Sequence, residues 1–197
     1  DFIGFLDHDD MLSPHAINEM MHAFTENPEY GLVYSDEDKL SDDGSERLVP
    51  FFKPDWSEEL IMSVNYLAHC VVARKELVDS IGALRTGFDG AQDYDFILRA
   101  SNKTAHIGHI PKMLYHWRLA DGSTAKRPGE KNYADDAGQK ALKSAVKERK
   151  IKADVIGEPD RPTNYRLKYK LPTKKPLVSI IIPFKDKADL LEQCVSS

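Results

Sequence analysis

The chain has 197 residues, of which 41% are hydrophobic and 30% charged, and its formal net charge is −5. These values are typical of a soluble globular chain and argue against a disordered chain and against a nucleic-acid-binding protein, which usually has a basic excess. Two cysteines without a CxxC motif argue against a disulfide framework or a cysteine zinc site and favour a reducing cytoplasm.

The first half of the chain is predicted to alternate strands and helices. An apolar strand over residues 2–6 ends at Asp7, and Ser13 and Pro14 are expected to begin a helix that runs to about residue 26. A strand over residues 31–35 precedes a polar hairpin, which turns at residues 42–44 in a sequence typical of a type I′ turn. Short helices over residues 56–62 and 75–80 flank a strand over residues 67–73.

The second half continues this pattern and then restarts. A helix is predicted from Asp93 to residue 101, two strands over residues 104–110 and 113–118, a long amphipathic helix over 131–149 and a strand over 164–170. Residues 172–176 have the composition of a linker, and the β-branched run over 177–183 is typical of a strand buried in a parallel sheet. We therefore predict a domain boundary near residue 172, and residues 177–197 as the first strand–helix unit of a second domain.

The acidic cluster Asp7-His8-Asp9-Asp10 is the first candidate site, because it follows a predicted strand directly. Open α/β sheets bind ligands at the carboxyl ends of their strands, and adjacent carboxylates are suited to Mg²⁺ or Mn²⁺. A polar turn that caps the next helix explains the spacing equally well. A second acidic run, residues 34–38, lacks the spacing of an EF-hand and is interpreted as a solvated hairpin near an acceptor site.

Three further groups could take part in chemistry. Asp93 is predicted to lie at a helix amino terminus, where it is either a plain cap or a general base. His116 and Arg118 share one face of a strand and could serve a metal ion and a phosphate group, or only the fold. The hydroxyl groups of Ser123 and Thr124, in a glycine-containing loop, suggest phosphate contact.

Taken in chain order, these motifs closely resemble those of family 2 glycosyltransferases, in particular the bacterial tandem enzymes of cell-surface polysaccharide synthesis. The resemblance covers residues 1–171 and rests on Asp7-His8-Asp9-Asp10, Tyr34-Ser35-Asp36-Glu37-Asp38, Phe52-Lys53-Pro54-Asp55-Trp56, Gln92-Asp93-Tyr94-Asp95 and Tyr115-His116-Trp117-Arg118. It implies an α/β fold of the GT-A type, Rossmann-like, with a mixed central sheet flanked by helices and truncated at its amino end. Residues 177–197 resemble the start of a second copy.

The resemblance also implies an activity, which is inverting transfer of a sugar from a nucleotide-diphospho-sugar to a glycan or lipid-linked acceptor. The expected location is the cytoplasm, at the inner face of the plasma membrane, and a second glycosyltransferase domain is expected in the same parent chain. The half of the fold that holds the nucleotide base would precede residue 1, so the isolated chain is expected to be inactive.

The resemblance assigns a role to each candidate residue. Asp9 would bind a divalent metal ion, Mg²⁺ or Mn²⁺, that bridges the donor diphosphate, with Asp7 beside this metal and the donor ribose, and His116 would complete the metal site. Asp93 would be the catalytic base and Asp95 a supporting acid. Arg118 would lie near the phosphates, where Ser123 and Thr124 are also expected. The family usually has Glu at the position of Gln92, which concentrates the base role on Asp93.

Two other functions remain open from the sequence. A sugar nucleotidyltransferase also uses a metal ion and paired acids, and it would release pyrophosphate from a nucleoside triphosphate. A transferase-like scaffold or glycan-binding module would bind no donor. The presence of Asp7, Asp9, Asp93 and His116 counts against this function.

Overall fold

The computed structural model describes residues 1–119 and 131–197. Six strands form the central sheet, and two more form a separate hairpin. The strands are β1 (Phe2–Gly4), β2 (Met11–Leu12), β3 (Leu32–Leu40), β4 (Arg47–Phe51), β5 (Val71–Arg74), β6 (Ile107–Arg118), β7 (Ala153–Gly157) and β8 (Tyr165–Tyr169). The helices are α1 (Ala16–Glu26), α2 (Glu58–Ile61), α3 (Lys75–Ile81), α4 (Gln92–Ser101), α5 (Lys131–Glu148) and α6 (Ala188–Ser196).

The central sheet is mixed, with the strand order β1-β5-β3-β6-β2 and with β4 paired to β3. Strands β3 and β6 are parallel, while β5 is antiparallel to both β1 and β3, and β2 is antiparallel to β6. Strands β1, β3 and β6 therefore end at the same edge of the sheet, where β5 and β2 begin. The predicted α/β class with a mixed central sheet and flanking helices is confirmed.

The core has two parts, one on each face of the sheet. Successive side chains of a strand point to opposite faces, so Leu32 and Tyr34 join one cluster and Val33 joins the other. Helices α4 and α5 cover the first face, and α1 covers the second with Ala16, Met20 and Phe24. The sheet is thus buried on both faces between helices, and its strand ends are left to form a site.

Strand β3 is longer than predicted. It continues to Leu40, and Asp36, Glu37 and Asp38 are each at most 4% exposed because β4 and β6 flank this part of the strand. The interpretation of residues 34–38 as a solvated hairpin is therefore wrong. The hairpin turn itself follows at residues 41–44, but only Gly44 has a positive φ, +75°, so the turn is not type I′.

The two strands predicted over residues 104–118 form the single strand β6. Its register against β3 shifts between Ile110 and Met113, so two extra residues are accommodated there in a bulge. One of them is Pro111, which has no N–H group for a strand ladder. The strand continues past Pro111 because β3 pairs with residues on both sides of it.

Two helix starts differ from the prediction. Helix α1 begins at Ala16, and the hydroxyl of Ser13 caps no helix but donates to the carbonyl of Met113, at 2.8 Å. Helix α2 begins at Glu58 rather than at residue 56, and it is capped by Ser57, whose hydroxyl accepts from the N–H of Leu60. The hairpin of β7 and β8 packs on α5, and the sequence predicted only its second strand.

Residues 177–183 form no strand and lie largely exposed, because no strand of the described chain pairs with them. Helix α6 follows as predicted. The domain boundary near residue 172 and the second domain stay predictions. In the described part of the chain, no helix combines the length and apolar character needed to cross a membrane.

Candidate active site

The edge of the sheet where β1, β3 and β6 end collects polar side chains from three segments. Asp7 follows β1, and Asp10 directly precedes β2. His69 lies just before β5, and Tyr115 lies near the end of β6. His69 and Tyr115 are far in sequence from Asp7 and Asp10, yet the strand order brings all four residues to one place.

Asp7, Asp10 and His69 form the centre of this site. One potential ligand atom from each residue lies within 4.8 Å of the other two, and Nε2 of His69 is 3.7 Å from the carboxylate of Asp7. Asp7 is exposed, whereas Asp10 and His69 are partly buried. Burial raises the pKa of the Asp10 carboxyl, although hydrogen bonds from Tyr115 and Arg118 favour its charged form. A cation would offset the charge of the two acids.

Tyr115 links the two acids. Its buried hydroxyl donates to Asp10 and accepts from the backbone N–H of Asp7, at 3.3 Å. Its ring stacks on His69, with ring centroids 4.7 Å apart. The turn after β1 is thus held against β6, and all three members of the cluster are in contact with Tyr115.

His69 is held on its other side by Glu37. The Nδ1 atom of His69 lies 3.5 Å from the Glu37 carboxylate without a hydrogen bond between them, and the same carboxylate accepts from the backbone N–H of His69, at 3.3 Å. Burial disfavours the charged imidazole, but Glu37, Asp93 and Asp7 outweigh this effect and raise the pKa of His69. A cation and a second proton would compete for this imidazole, so cation binding would weaken as pH falls.

Asp93 lies in the first turn of α4, and its carboxylate accepts a 2.8 Å hydrogen bond from the side-chain amide of Asn65. Burial raises the pKa of this carboxyl, and it outweighs the backbone N–H of Tyr94 and the nearby His69, which favour the charged form. A carboxylate that is fixed in direction and more basic than usual has the properties of a general base.

His116 and Arg118 are engaged within the protein. His116 is 7% exposed, with Nδ1 at 2.6 Å from Asp38 and Nε2 at 3.0 Å from the hydroxyl of Ser13. Arg118 donates to the backbone carbonyls of Asp9 and Asp42, at 2.7 and 2.9 Å. A metal ion at His116 would have to displace Ser13, and the contacts of Arg118 clamp two turns together.

The other predicted site residues lie elsewhere. Asp95 is 1% exposed and is paired with Arg85 and Arg99. The carboxylate of Asp9 lies 3.7 Å from His8 and does not join the cluster of Asp7, Asp10 and His69. Ser123 and Thr124 lie outside the described residues.

The residues present fit a divalent cation. Two carboxylates and one imidazole are a ligand set that Mn²⁺ accepts, and exposed Asp7 leaves one side of the cluster open to a further ligand. A histidine ligand commonly has a carboxylate on its other ring nitrogen, and Glu37 lies there. The structure assembles this set from Asp7, Asp10 and His69, whereas the resemblance implied Asp7, Asp9 and His116.

The whole chain is similar to parts of two longer bacterial proteins. It is 45% identical over 197 residues to the O-antigen biosynthesis protein RfbC of Myxococcus xanthus, and 38% identical over 198 residues to the uncharacterized protein y4gI of Sinorhizobium fredii. It spans 15% and 22% of the length of these relatives. The first relative confirms the predicted kinship with proteins of cell-surface polysaccharide synthesis. No protein-family model matches the chain.

Solved structures of S. aureus TarS are also similar. TarS 1–349 is 16% identical with a TM-score of 0.46, over 75% of this chain and 57% of that one. TarS 1–349 in complex with UDP is 14% identical with a TM-score of 0.49, over 74% of this chain and 40% of that one.

Proposed function

We propose that the chain is part of a glycosyltransferase of polysaccharide synthesis, which moves a sugar from a nucleotide-diphospho-sugar to a hydroxyl group with inversion. The observation that carries this proposal is the placement of Asp93, a basic carboxylate fixed by Asn65, near His69 and the acids beside it. Kinship with an O-antigen biosynthesis protein supports the same class of reaction.

Asp93 is the proposed base. In-line attack on the sugar requires removal of one proton from the acceptor hydroxyl, and a raised pKa brings a carboxylate closer to that task. The hydrogen bond from Asn65 occupies one oxygen of Asp93 and directs the other. The acceptor would be a glycan or a lipid-linked sugar. The protein would associate peripherally with a membrane.

Asp7, Asp10 and His69 are the proposed ligands of a divalent cation, Mg²⁺ or Mn²⁺. Such an ion stabilises the negative charge that develops on a departing diphosphate. Tyr115 keeps the two acids in place through its hydroxyl group. Ser123 and Thr124 are proposed to contact the donor phosphates, and a second transferase domain in the parent chain would suit the greater length of the relatives.

The substitution Asp93→Asn tests the proposal, because it removes the base but keeps the size of the side chain. The assay uses the full-length protein that contains this chain, with Mn²⁺ and a panel of UDP-, GDP- and dTDP-sugars. We expect transfer to fall by about 10²- to 10⁴-fold, the usual contribution of general base catalysis, with donor affinity nearly unchanged. The exposed Asp89→Asn variant serves as the matched control.

Other outcomes would point elsewhere. Full transfer by the Asp93→Asn variant would remove Asp93 from the role of base. Release of pyrophosphate from a nucleoside triphosphate would favour a nucleotidyltransferase. A wild-type protein that binds none of the nucleotide sugars would support a scaffold.

A further inference from the structure

A buried pair of opposite charges, Glu37 and Lys53, lies behind the proposed site. The side chain of Lys53 is fully buried and that of Glu37 is 5% exposed, and their charged atoms are 3.1 Å apart. Removing both charges from water is costly, and an apolar pair of similar size often gives equal or greater stability. Stability alone therefore gives a weak reason for this pair, and its contacts suggest another.

Both members of the pair are bonded to the segment that carries His69. The ammonium group of Lys53 donates to Glu37, to the carbonyl of Leu67 at 2.6 Å and to the carbonyl of His69. Its three protons are thus all used. Glu37 accepts from the backbone N–H of His69, so the pair fixes the backbone of His69 on both sides.

The ring of His69 is fixed as well. Tyr115 stacks on its face and Trp117 meets it at an angle, with centroids 4.7 and 5.3 Å away. The carboxylate of Glu37 faces Nδ1, while Nε2 faces Asp7. A carboxylate beside Nδ1 favours the proton there, which leaves the lone pair of Nε2 free to bind a cation.

We propose that Glu37 and Lys53 position His69 so that its Nε2 completes the Asp7–Asp10–His69 site, and that this nitrogen makes the site prefer Mn²⁺ or Co²⁺ to Ca²⁺. The inference rests on the proposed cation-assisted function and adds a positioning pair to it. Nitrogen ligands favour transition metals, whereas Ca²⁺ takes oxygen ligands. Loss of the positioning therefore lowers Mn²⁺ and Co²⁺ affinity more than Ca²⁺ affinity.

The test measures cation binding by the 197-residue chain itself. Free Mn²⁺ is followed by electron paramagnetic resonance, Co²⁺ by its visible absorption and Ca²⁺ by calorimetry, in the wild type and in Glu37→Gln and His69→Gln. We expect His69→Gln to lose the preference for Mn²⁺ over Ca²⁺. Glu37→Gln should lower Mn²⁺ affinity by about 10- to 100-fold, the usual effect of changing a residue that orients a metal ligand. The effect on Ca²⁺ affinity should be smaller.

Asp38→Asn is the matched comparison, because Asp38 is a buried carboxylate on the same strand that faces a different histidine, His116. It should leave the Mn²⁺-to-Ca²⁺ preference unchanged. Circular dichroism checks folding of each variant. If Glu37→Gln does not fold, the double variant Glu37→Gln/Lys53→Met removes both charges together and is measured in its place, with the same loss expected.

The outcomes separate this inference from the function it rests on. If His69→Gln weakens Mn²⁺ binding but folded Glu37→Gln does not, the positioning pair is refuted and the cation site stands. If Glu37→Gln lowers Mn²⁺ and Ca²⁺ affinity equally, Glu37 has only a structural effect. If the wild type binds no cation, or if Asp7→Asn and His69→Gln bind as the wild type does, the cation site itself is refuted.

Discussion

The carboxyl group of Asp93 is in an environment that disfavours its charge, yet the proposed chemistry needs that charge. Its pKa is raised by burial, so the folded state binds a proton at Asp93 more tightly than the unfolded chain does. Below the ordinary pKa of 3.8, both states are protonated and folding retains this favourable contribution in full. The contribution is lost as pH rises through the raised pKa, so at neutral pH the ionised group costs stability.

The substitution Asp93→Asn should therefore stabilise the fold while it lowers transfer. The neutral amide removes the cost of a partly buried charge, and its oxygen can still accept from Asn65. We expect the thermal midpoint of the variant to exceed that of the wild type at pH 7.5, with the difference shrinking as pH falls towards 3.8. Circular dichroism melts at several pH values measure this, with exposed Asp89→Asn as a control that shows no such trend.

A lower midpoint for Asp93→Asn at neutral pH would contradict this reasoning. It would mean that the ionised carboxylate makes contacts that stabilise the fold, and Asp93 would then be a structural cap of α4. That was the competing interpretation of its position at a helix start, so one melting experiment distinguishes the two.

Residue by residue, the sequence predicted those parts of the site that local position determines. Asp7 follows a strand and Asp93 lies in the first turn of a helix, and such positions can be recognised without knowing the fold, whereas Asp10 was assigned no ligand role. His69 could not be found this way, because only the placement of β5 beside β1 brings it to Asp7. Glu37 was missed because it belongs to an acidic run, and acidic runs are usually solvated.

At the scale of elements, Asp95 anchors α4 to the end of α3. Arg99 pairs with Asp95 at 2.9 Å and donates to the carbonyls of Ile81, Gly82 and Ala83. These carbonyls are at or just beyond the end of α3, where a helix leaves acceptors unsatisfied. This connection fixes the loop that leads to Asp93, which gives Asp95 a supporting role without contact to a substrate.

Asp95→Asn should accordingly be one of the most destabilising single changes in the chain. It leaves the largely buried Arg99 without a counter-charge, which typically costs about 3–5 kcal/mol. Urea unfolding followed by tryptophan fluorescence measures the loss. Arg85→Ala removes the other partner of Asp95, but Arg85 is 39% exposed, and we expect a loss of about 1 kcal/mol or less. If Asp95→Asn left stability unchanged but removed transfer, Asp95 would instead take part in the reaction.

Elements were predicted well where the hydrophobic periodicity and the turn residues agree. Examples are α4, α5 and the carboxyl end of α1, which is capped at Asn27. Strand β3 extends through three acidic residues because it pairs with β4 and β6 there. The strand propensity of these residues does not predict the extension. Strand β7 was missed because the apolar Ile156 lies on its exposed side, so the hydrophobic pattern does not match the alternation of half-buried and exposed residues. The strand forms through its pairing with β8.

At the scale of the whole molecule, residues 1–170 and 172–197 differ in packing. Most apolar side chains in the second segment are exposed, for example Leu177 at 96% and Ile181 at 90%, while Ile182 and Leu191 are half-buried, and none of them belongs to the two core clusters. The last backbone hydrogen bond of residues 1–170 runs from the N–H of Lys170 to the carbonyl of Lys152, at 2.7 Å, beside the hairpin of β7 and β8. Exposure thus differs on the two sides of residue 171, and the domain boundary near residue 172 stays a prediction.

A chain that ends at residue 171 should unfold like the full chain. The slope of unfolding free energy against urea follows the surface exposed on unfolding, and a segment that is already exposed adds nothing to that difference. We expect equal urea midpoints and equal slopes for residues 1–171 and 1–197. The shorter chain should also associate less in analytical ultracentrifugation, because it lacks the exposed apolar run over residues 177–184. A lower midpoint and a smaller slope for the shorter chain would show that residues 172–197 pack on residues 1–170, and the boundary would then have to move.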